Sequence, residues 1–547
     1  MELVSVSNIN FKLINVFMLG VSFLFIFSAF QTCEMIQEVV LESTSLKIFQ
    51  GSGYKSLSII YGSFALCNWF AAPVVTFLGP KISLILGAST YCIFIGSFLN
   101  PRLWSLYVTS ALLGLGAAIL WTAQGNFLTI ISDQSNISRN TGIFWALFQT
   151  SYVVGNTIMF VKFKGMTNLD QEAYSALFTI LLVLCCTGVL MLITCLKNVA
   201  YENKLNHIDI INDNISTNNY TSINESERTA LIKGDMEKLY SSSLTHHEIP
   251  QIEVKNDKKI NKRVEFLENE YEIGTSSYLN NQNIILDQQK SNVFMVDNRN
   301  TLSKTLLTSF KLLKDVNILL LTFSFAFTGL EITFISGVLT TCIGYTTRFG
   351  DQSKSLMGIC GILLGVGEIL GGLNFGVLES FLASRRRVNN SFQITNQKGL
   401  SRCSTIITSG YLLNILSYFT LYLILPKDSP IQPSTLGVYL NYDTLSLVLV
   451  PVTALLLGFA DSAFNTQIYV MIATHYREER ENTATFALFK FIQSTMAAIA
   501  FYYSKYLLLH WQLLILVISG TFAVLFFYSA DHRLSNNILE IKSRDRT

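Results

Sequence analysis

Charge is scarce in this chain. Of its 547 residues only 14% are Asp, Glu, Lys or Arg, half are hydrophobic, and the formal net charge is +2. The basic residues are not gathered on one soluble element, which argues against a nucleic-acid surface. No GxSxG, P-loop or dinucleotide fingerprint falls in a strand-to-helix context, so the sequence predicts no enzyme and no cofactor. Nine cysteines form no CxxC pair. Six histidines (His207, His246, His247, His475, His510 and His532) lie mostly in one polar stretch or near helix ends, and His246-His247 is too short a cluster for a metal site.

Long apolar runs, by contrast, recur throughout, and the mean hydropathy is +0.40. Runs of about 20 residues match the length of helix needed to cross a bilayer. Twelve such spans are expected, at 11–31, 55–78, 82–99, 103–129, 141–162, 174–196, 316–340, 355–379, 404–425, 444–472, 484–505 and 511–530. The first is long enough to span and lacks a small-residue cleavage site, so it reads as helix 1 rather than a signal peptide. The stretch between the sixth and seventh spans is rich in Asn, Ser, Glu and Lys without a sustained apolar period, and reads as a disordered linker. The domain plan is therefore 1–197, a six-helix bundle; 198–303, a cytosolic linker; and 304–547, a second six-helix bundle with a short tail.

The two halves resemble each other. Lys55-Ser56-Leu57 opens span 2 and Lys354-Ser355-Leu356 opens span 8, with Gly62 and Gly361 at matching positions. Trp145-Ala146-Leu147-Phe148 in span 5 matches Phe486-Ala487-Leu488-Phe489 in span 11. Parallel six-helix repeats are a recurrent transporter plan. Lys81, Arg139, Arg385-Arg386-Arg387, Lys398, Arg402, Arg477 and Arg480 gather on one side, which places both termini in the cytosol.

The stretch Leu120–Asn156 reads as an inner hairpin between spans 4 and 5, bracketed by Asp133 and Arg139. Its amides Gln124, Asn126, Gln149 and Asn156, with Gln31, are the polar groups of the first half. Gln124 and Gln149 sit at similar depths, where they could bond each other, bind a polar solute, or serve packing alone. Gly114, Ala117, Ala118 and Gly125 let span 4 approach a neighbour closely. Most cysteines lie in apolar runs as packing residues. Cys33 and Cys342, near the same ends of their helices, are either a disulfide or two free thiols.

Several stretches in order carry a family resemblance: FSAFQTC (Phe27 to Cys33), GSGY (Gly51 to Tyr54), WTAQGN (Trp121 to Asn126), RNTGIFWAL (Arg139 to Leu147), FTGLEITFISGV (Phe327 to Val338), GEILGG (Gly367 to Gly372), FNTQ (Phe464 to Gln467) and YLLLHWQLL (Tyr506 to Leu514). Together they resemble the Unc-93-like branch of the major facilitator superfamily, over all the spans though not the linker. The resemblance implies an all-α, polytopic membrane protein with twelve transmembrane helices in two six-helix bundles. It also implies that helices 1, 4, 7 and 10 line a central cavity. It names no substrate, since members are described as transporters, channel accessory subunits or trafficking partners of receptors.

Ionisable groups inside spans are the sharpest functional clue, because each costs about 2.5–3.5 kcal/mol at mid-helix on insertion scales. The reading finds Glu331, Glu368, Asp461 and Lys490, all in the second half. Glu331 and Asp461 would be cavity residues able to couple protons to movement. The plainer alternative pairs Asp461 with Lys490 and leaves Glu331 as an internal hydrogen-bonding group. The facilitator signature between helices 2 and 3 keeps its end in Gly79-Pro80-Lys81, but Thr76 stands at the Asp position and Ala72 at the first Gly. That departure favours a non-transporting role.

The expected function is secondary transport of a small solute, with proton coupling. The alternative is a regulatory or trafficking partner of another membrane protein, such as a channel or receptor. In the linker, Glu227, Leu231 and Ile232 fit an acidic dileucine pattern that a clathrin adaptor could bind, which points to endosomal or lysosomal sorting as against the plasma membrane. With both termini cytosolic, the sequons at Asn136, Asn214, Asn219, Asn224 and Asn389 stay unmodified. Glycan mapping of the protein from eukaryotic cells should find all five bare, and one occupied site would overturn the orientation.

Overall fold

The computed structural model describes residues 2–42, 51–132, 137–164, 171–196, 311–373, 402–434, 438–440, 443–476 and 479–544. The sorting motif Glu227, Leu231 and Ile232, the five sequons, Asp133, the Arg385–Arg387 run and the linker lie outside them.

Twelve helices account for nearly all the described residues. They are α1 (Glu2–Leu41), α2 (Gly53–Leu78), α3 (Pro80–Ser97), α4 (Leu103–Ile130), α5 (Ile137–Phe163), α6 (Gln171–Thr194), α7 (Val316–Tyr345), α8 (Ser353–Gly372), α9 (Arg402–Ile424), α10 (Asp443–His475), α11 (Glu479–Ser504) and α12 (Leu509–Arg544). Eleven are long and apolar enough to cross a membrane. The exception, α5, has the length, at 27 residues. It is diluted by Arg139, Asn140, Thr141, Gln149, Asn156 and Lys162. The chain is an integral, multi-pass membrane protein.

Local chemistry sets several helix ends. Gly79 takes φ 79° between α2 and α3, and Pro80 opens α3, so the chain turns sharply with no loop. Asp315 caps α7 by accepting from Asn317 N–H at 2.9 Å. Two expectations shift. Span 1 does not stop near residue 31: α1 continues to Leu41 and carries Glu34 and Glu38 into the buried core. Helix 7 is not a plain α-helix, because Phe334–Val338 forms a π-helical stretch within it.

The two halves repeat the same packing. In the first, α1 packs on α5 and α6, α4 on α2 and α3, and α3 on α6. In the second, α7 packs on α11 and α12, α10 on α8 and α9, and α9 on α12. Between the halves, α5 packs on α8, α2 on α11, and α1 on the end of α7. The end of the bundle where α1 and α7 finish is called the upper end below.

Glycine permits the closest of these approaches. In α8, Gly361 and Gly365 face Asn156 and Tyr152 of α5, while Gly367 faces the Leu455 carbonyl of α10. Without water in the bilayer, such small-residue seams let dispersion and interhelical polar contacts hold helices together. Gly114 meets the Ile60 carbonyl of α2, as the span-4 reading expects, but Gly125 is exposed and has nothing near it. Cys33 and Cys342 are both buried free thiols, which settles that alternative against a disulfide.

A methyl group at Gly458 would lie 2.1 Å from the Leu364 carbonyl oxygen of α8, far inside contact distance. Gly458→Ala should therefore cost about 1–3 kcal/mol through overpacking and lower the thermal midpoint in detergent, while Gly125→Ala leaves it unchanged or slightly raised. Equal midpoints for the two variants would remove the α8–α10 seam from the account.

Candidate functional site

The strongest polar feature spans both halves and begins with a residue the sequence reading set aside. Glu34, on the upper part of α1, is buried. Its Oε1 accepts from the Tyr61 hydroxyl of α2 at 2.8 Å and from the Ser336 hydroxyl at 3.0 Å. Ser336 lies in the π-helical stretch of α7, so this carboxyl bridges the two halves. A π-turn widens the helix by one residue, and such turns are frequent at functional sites. One turn further on, the Thr340 hydroxyl donates to the Met35 carbonyl at 2.6 Å. Glu38 then accepts from Ser52 Oγ at 3.0 Å and from the Tyr54 backbone N–H at 2.9 Å, at the start of α2. A carboxylate suits a helix N-terminus, where free N–H groups and the helix dipole both favour negative charge. At the margin, Lys505, just after α11, pairs with Glu42 at 3.8 Å.

The carboxyls expected in the second half are all buried. Glu331 of α7 has no exposure at all. Its Oε1 accepts from Asn414 Nδ2 of α9 at 2.5 Å, and its Oε2 has no partner. Glu368 of α8 has Gln149 of α5 within interaction reach. Asp461 of α10 accepts from Asn465 Nδ2 at 3.0 Å on Oδ2, while Oδ1 has none. The three interact electrostatically with one another. Tyr152 of α5, itself buried, lies within electrostatic reach of Glu368, Glu34 and Asp461.

Lys490 lies within electrostatic reach of Asp461 but makes no direct salt bridge with it. Its ammonium donates to Gln493 Oε1 at 2.9 Å and lies 4.9 Å from the centroid of the Phe489 ring. Gln493 Nε2 in turn donates to Thr328 Oγ1 at 3.2 Å, three residues before Glu331. A buried carboxylate without a nearby cation is costly, so Glu331 and Glu368, which have none in reach, are the chemically unsatisfied part of the site.

The hairpin amides separate. Gln124 is buried, Asn126 is exposed, and Gln149 lies within reach of Glu368 with its Oε1 unpartnered. Asn156 donates to its own helix at Tyr152 O, 2.9 Å away, and packs against Gly361 with its Oδ1 unpartnered. The ends of α4 and α5 are joined by Asn140 Nδ2 donating to Ser132 Oγ at 2.9 Å, and further in Trp121 stacks on Trp145 with centroids 5.9 Å apart. Gln31 accepts from Ser151 Oγ, tying α1 to α5.

Glu34 and Glu38 were missed because two glutamates near the end of an apolar run look like its solvated edge. The available signal was their spacing: at four residues apart they share a helix face with Gln31, so the polar stripe continues rather than stopping.

The sequence matches the family described as "Ion channel regulatory protein UNC-93" over residues 44–240 and 273–528. It is 34% identical to UNC93-like protein MFSD11 of Xenopus laevis over 96% of this chain and 98% of that one. Protein unc-93 homolog A of Bos taurus is 35% identical over 28% of this chain and 34% of its own. Among solved structures, a POT family transporter in complex with a thioalcohol conjugated peptide superposes with a TM-score of 0.53 at 12% identity, covering 97% of this chain and 96% of that one. A second, from work on substrate recognition in proton dependent oligopeptide transporters, gives 0.51 at 12% identity, covering 96% and 98%. At that identity the likeness is one of fold.

Removing both donors to Glu34 in a Tyr61→Phe, Ser336→Ala double variant leaves its carboxyl buried and bare. The thermal unfolding midpoint should fall by the equivalent of about 1–3 kcal/mol, and Glu34→Leu on that background should recover part of it. An unchanged midpoint in the double variant would mean that these bonds contribute nothing.

Proposed function

The chain belongs to the UNC-93 family, and on that premise we propose that it is a secondary transporter of a small polar solute, moving it by relative motion of its two six-helix halves. The observation that carries the reading is the set of buried carboxyls, Glu331, Glu368 and Asp461, which form no ion pair among the described residues. Groups so costly to bury are retained in membrane helices where ions, protons or solutes pass. Glu331 or Asp461 carries the coupling proton, Glu368 and Lys490 tune them, and the Glu34–Ser336 contact closes the upper end between cycles. The transporter-like fold and the repeated helix packing support such motion. Both termini face the cytosol, and the linker's Glu227, Leu231 and Ile232 sort the protein to endosomes or lysosomes through a clathrin adaptor.

A second reading has its own support. The family's description is that of a channel regulator. Near the end of α2 Thr76, standing where facilitators place an Asp, spends its hydroxyl on the Ala72 carbonyl of its own helix at 2.9 Å. A chain without that acid lacks one latch of the usual gate. In this reading the same scaffold binds a membrane partner, a channel or receptor, without moving solute.

Untargeted solute uptake into proteoliposomes separates the two. Transport predicts pH-dependent uptake that Glu331→Gln and Asp461→Asn each reduce by at least about tenfold, the scale of 1.4 kcal/mol in a barrier. Uptake whose pH dependence survives both substitutions removes the proton role. A stoichiometric membrane partner after cross-linking, with no uptake, decides for the regulatory reading.

A further inference from the structure

Away from the carboxyls, three thiols meet in the first half. Cys92 of α3 lies with its Sγ 3.3 Å from Cys185 Sγ and 3.8 Å from Cys186 Sγ, both of α6. The helices holding them run antiparallel in a fixed register. Above the thiols, Phe98 stacks on Phe178 with centroids 4.7 Å apart and planes 9° from parallel. Below them, the Lys81 ammonium donates to the Ile193 carbonyl at 3.1 Å. The cluster grades from core to lipid: Cys185 is buried, Cys92 half-buried and Cys186 exposed. Cys186 shares its face of α6 with Val183 and Leu190, which are also exposed, so it looks onto acyl chains rather than water.

We infer that Cys92, Cys185 and Cys186 form a redox site that reduces lipid hydroperoxides and closes a Cys92–Cys185 disulfide between α3 and α6. A disulfide holds its sulfurs at about 2.05 Å, and Cys92 Sγ and Cys185 Sγ already meet at 3.3 Å. A hydroperoxide on an unsaturated acyl chain reaches Cys186 from the lipid face. The Cys186 sulfur attacks the terminal peroxide oxygen, the O–O bond breaks, and the lipid leaves as an alcohol with the thiol proton. Cys186 is then a sulfenic acid. The Cys92 sulfur attacks it, forming an S–S bond, breaking the S–O bond and releasing water. The Cys185 sulfur next attacks Cys92, and Cys186 departs as a thiol carrying the Cys185 proton. In sum, two thiols are oxidised to one disulfide while one hydroperoxide is reduced to an alcohol and water.

The site does not depend on transport, since α3 and α6 belong to one half and carry none of the carboxyls. The test uses the full protein in nanodiscs of palmitoyl-linoleoyl phosphatidylcholine, exposed to the hydroperoxide of that lipid, digested without reduction and mapped by mass spectrometry. The expected product is a Cys92–Cys185 bridge with one lipid alcohol per bridge. Cys186→Ser should slow its formation, and Cys92→Ser should abolish it while the protein stays monodisperse. A Cys92 that remains reduced while Cys67 or Cys195 is oxidised overturns the proposal, as does unbridged oxidation of Cys92 to the sulfonic acid.

Discussion

A membrane interior offers polar groups no water, so each must find its partner in protein. Glu34 shows what this demands. Its carboxyl sits in the buried upper part of α1 and takes one donor from α2 and one from α7. The second donor, Ser336, belongs to the other half of the chain and lies in a π-helical stretch. A single interaction therefore ties α1, α2 and α7 together and joins the halves at the upper end. Glu38, one turn later, repeats the logic by capping the start of α2. The close helix approaches that make such bonds reachable come from glycine, above all along α8, which lies against α5 on one face and α10 on another.

The halves share a packing plan but not a chemistry. Equivalent helix pairs recur in both, and equivalent cross-pairs, α5 with α8 and α2 with α11, join them. The buried acids divide unequally: Glu331, Glu368, Asp461 and Asp531 belong to the second half, and Glu34 and Glu38 to the first. Tyr152 and Gln149 of α5 are where the first half meets the acids of the second. Relative motion of the halves would change what those acids face, and this is how a proton or solute would gain access to groups that are closed off here.

Much of the architecture was legible from hydropathy alone, because a helix of apolar residues crossing lipid satisfies its own backbone. The twelve helices and their repeat follow from that. The fifth was legible despite Arg139, Gln149 and Asn156, since the apolar residues between them keep helical spacing. Partnership was not legible. Asp461 and Lys490 looked like a direct pair from their hairpin; Lys490 stays within electrostatic reach of Asp461 but gives its hydrogen bond to Gln493 and lies against the Phe489 ring. Asn126 and Gly125 looked like buried contacts and are exposed, because one residue of helical rotation decides between lipid and core. Glu34 was hidden because Tyr61 and Ser336, 27 and 302 residues away, make its burial tolerable.

The central claim is that the Glu34–Ser336 contact is a closure between two rigid halves that opens and re-forms. Spin labels replacing Glu42 and Lys505, which face each other across that seam at 3.8 Å, report the gap directly by pulsed electron resonance in liposomes. The account predicts two distance populations, with Ser336→Ala shifting weight to the longer one. A single short distance at every pH, unchanged by Ser336→Ala, would contradict it.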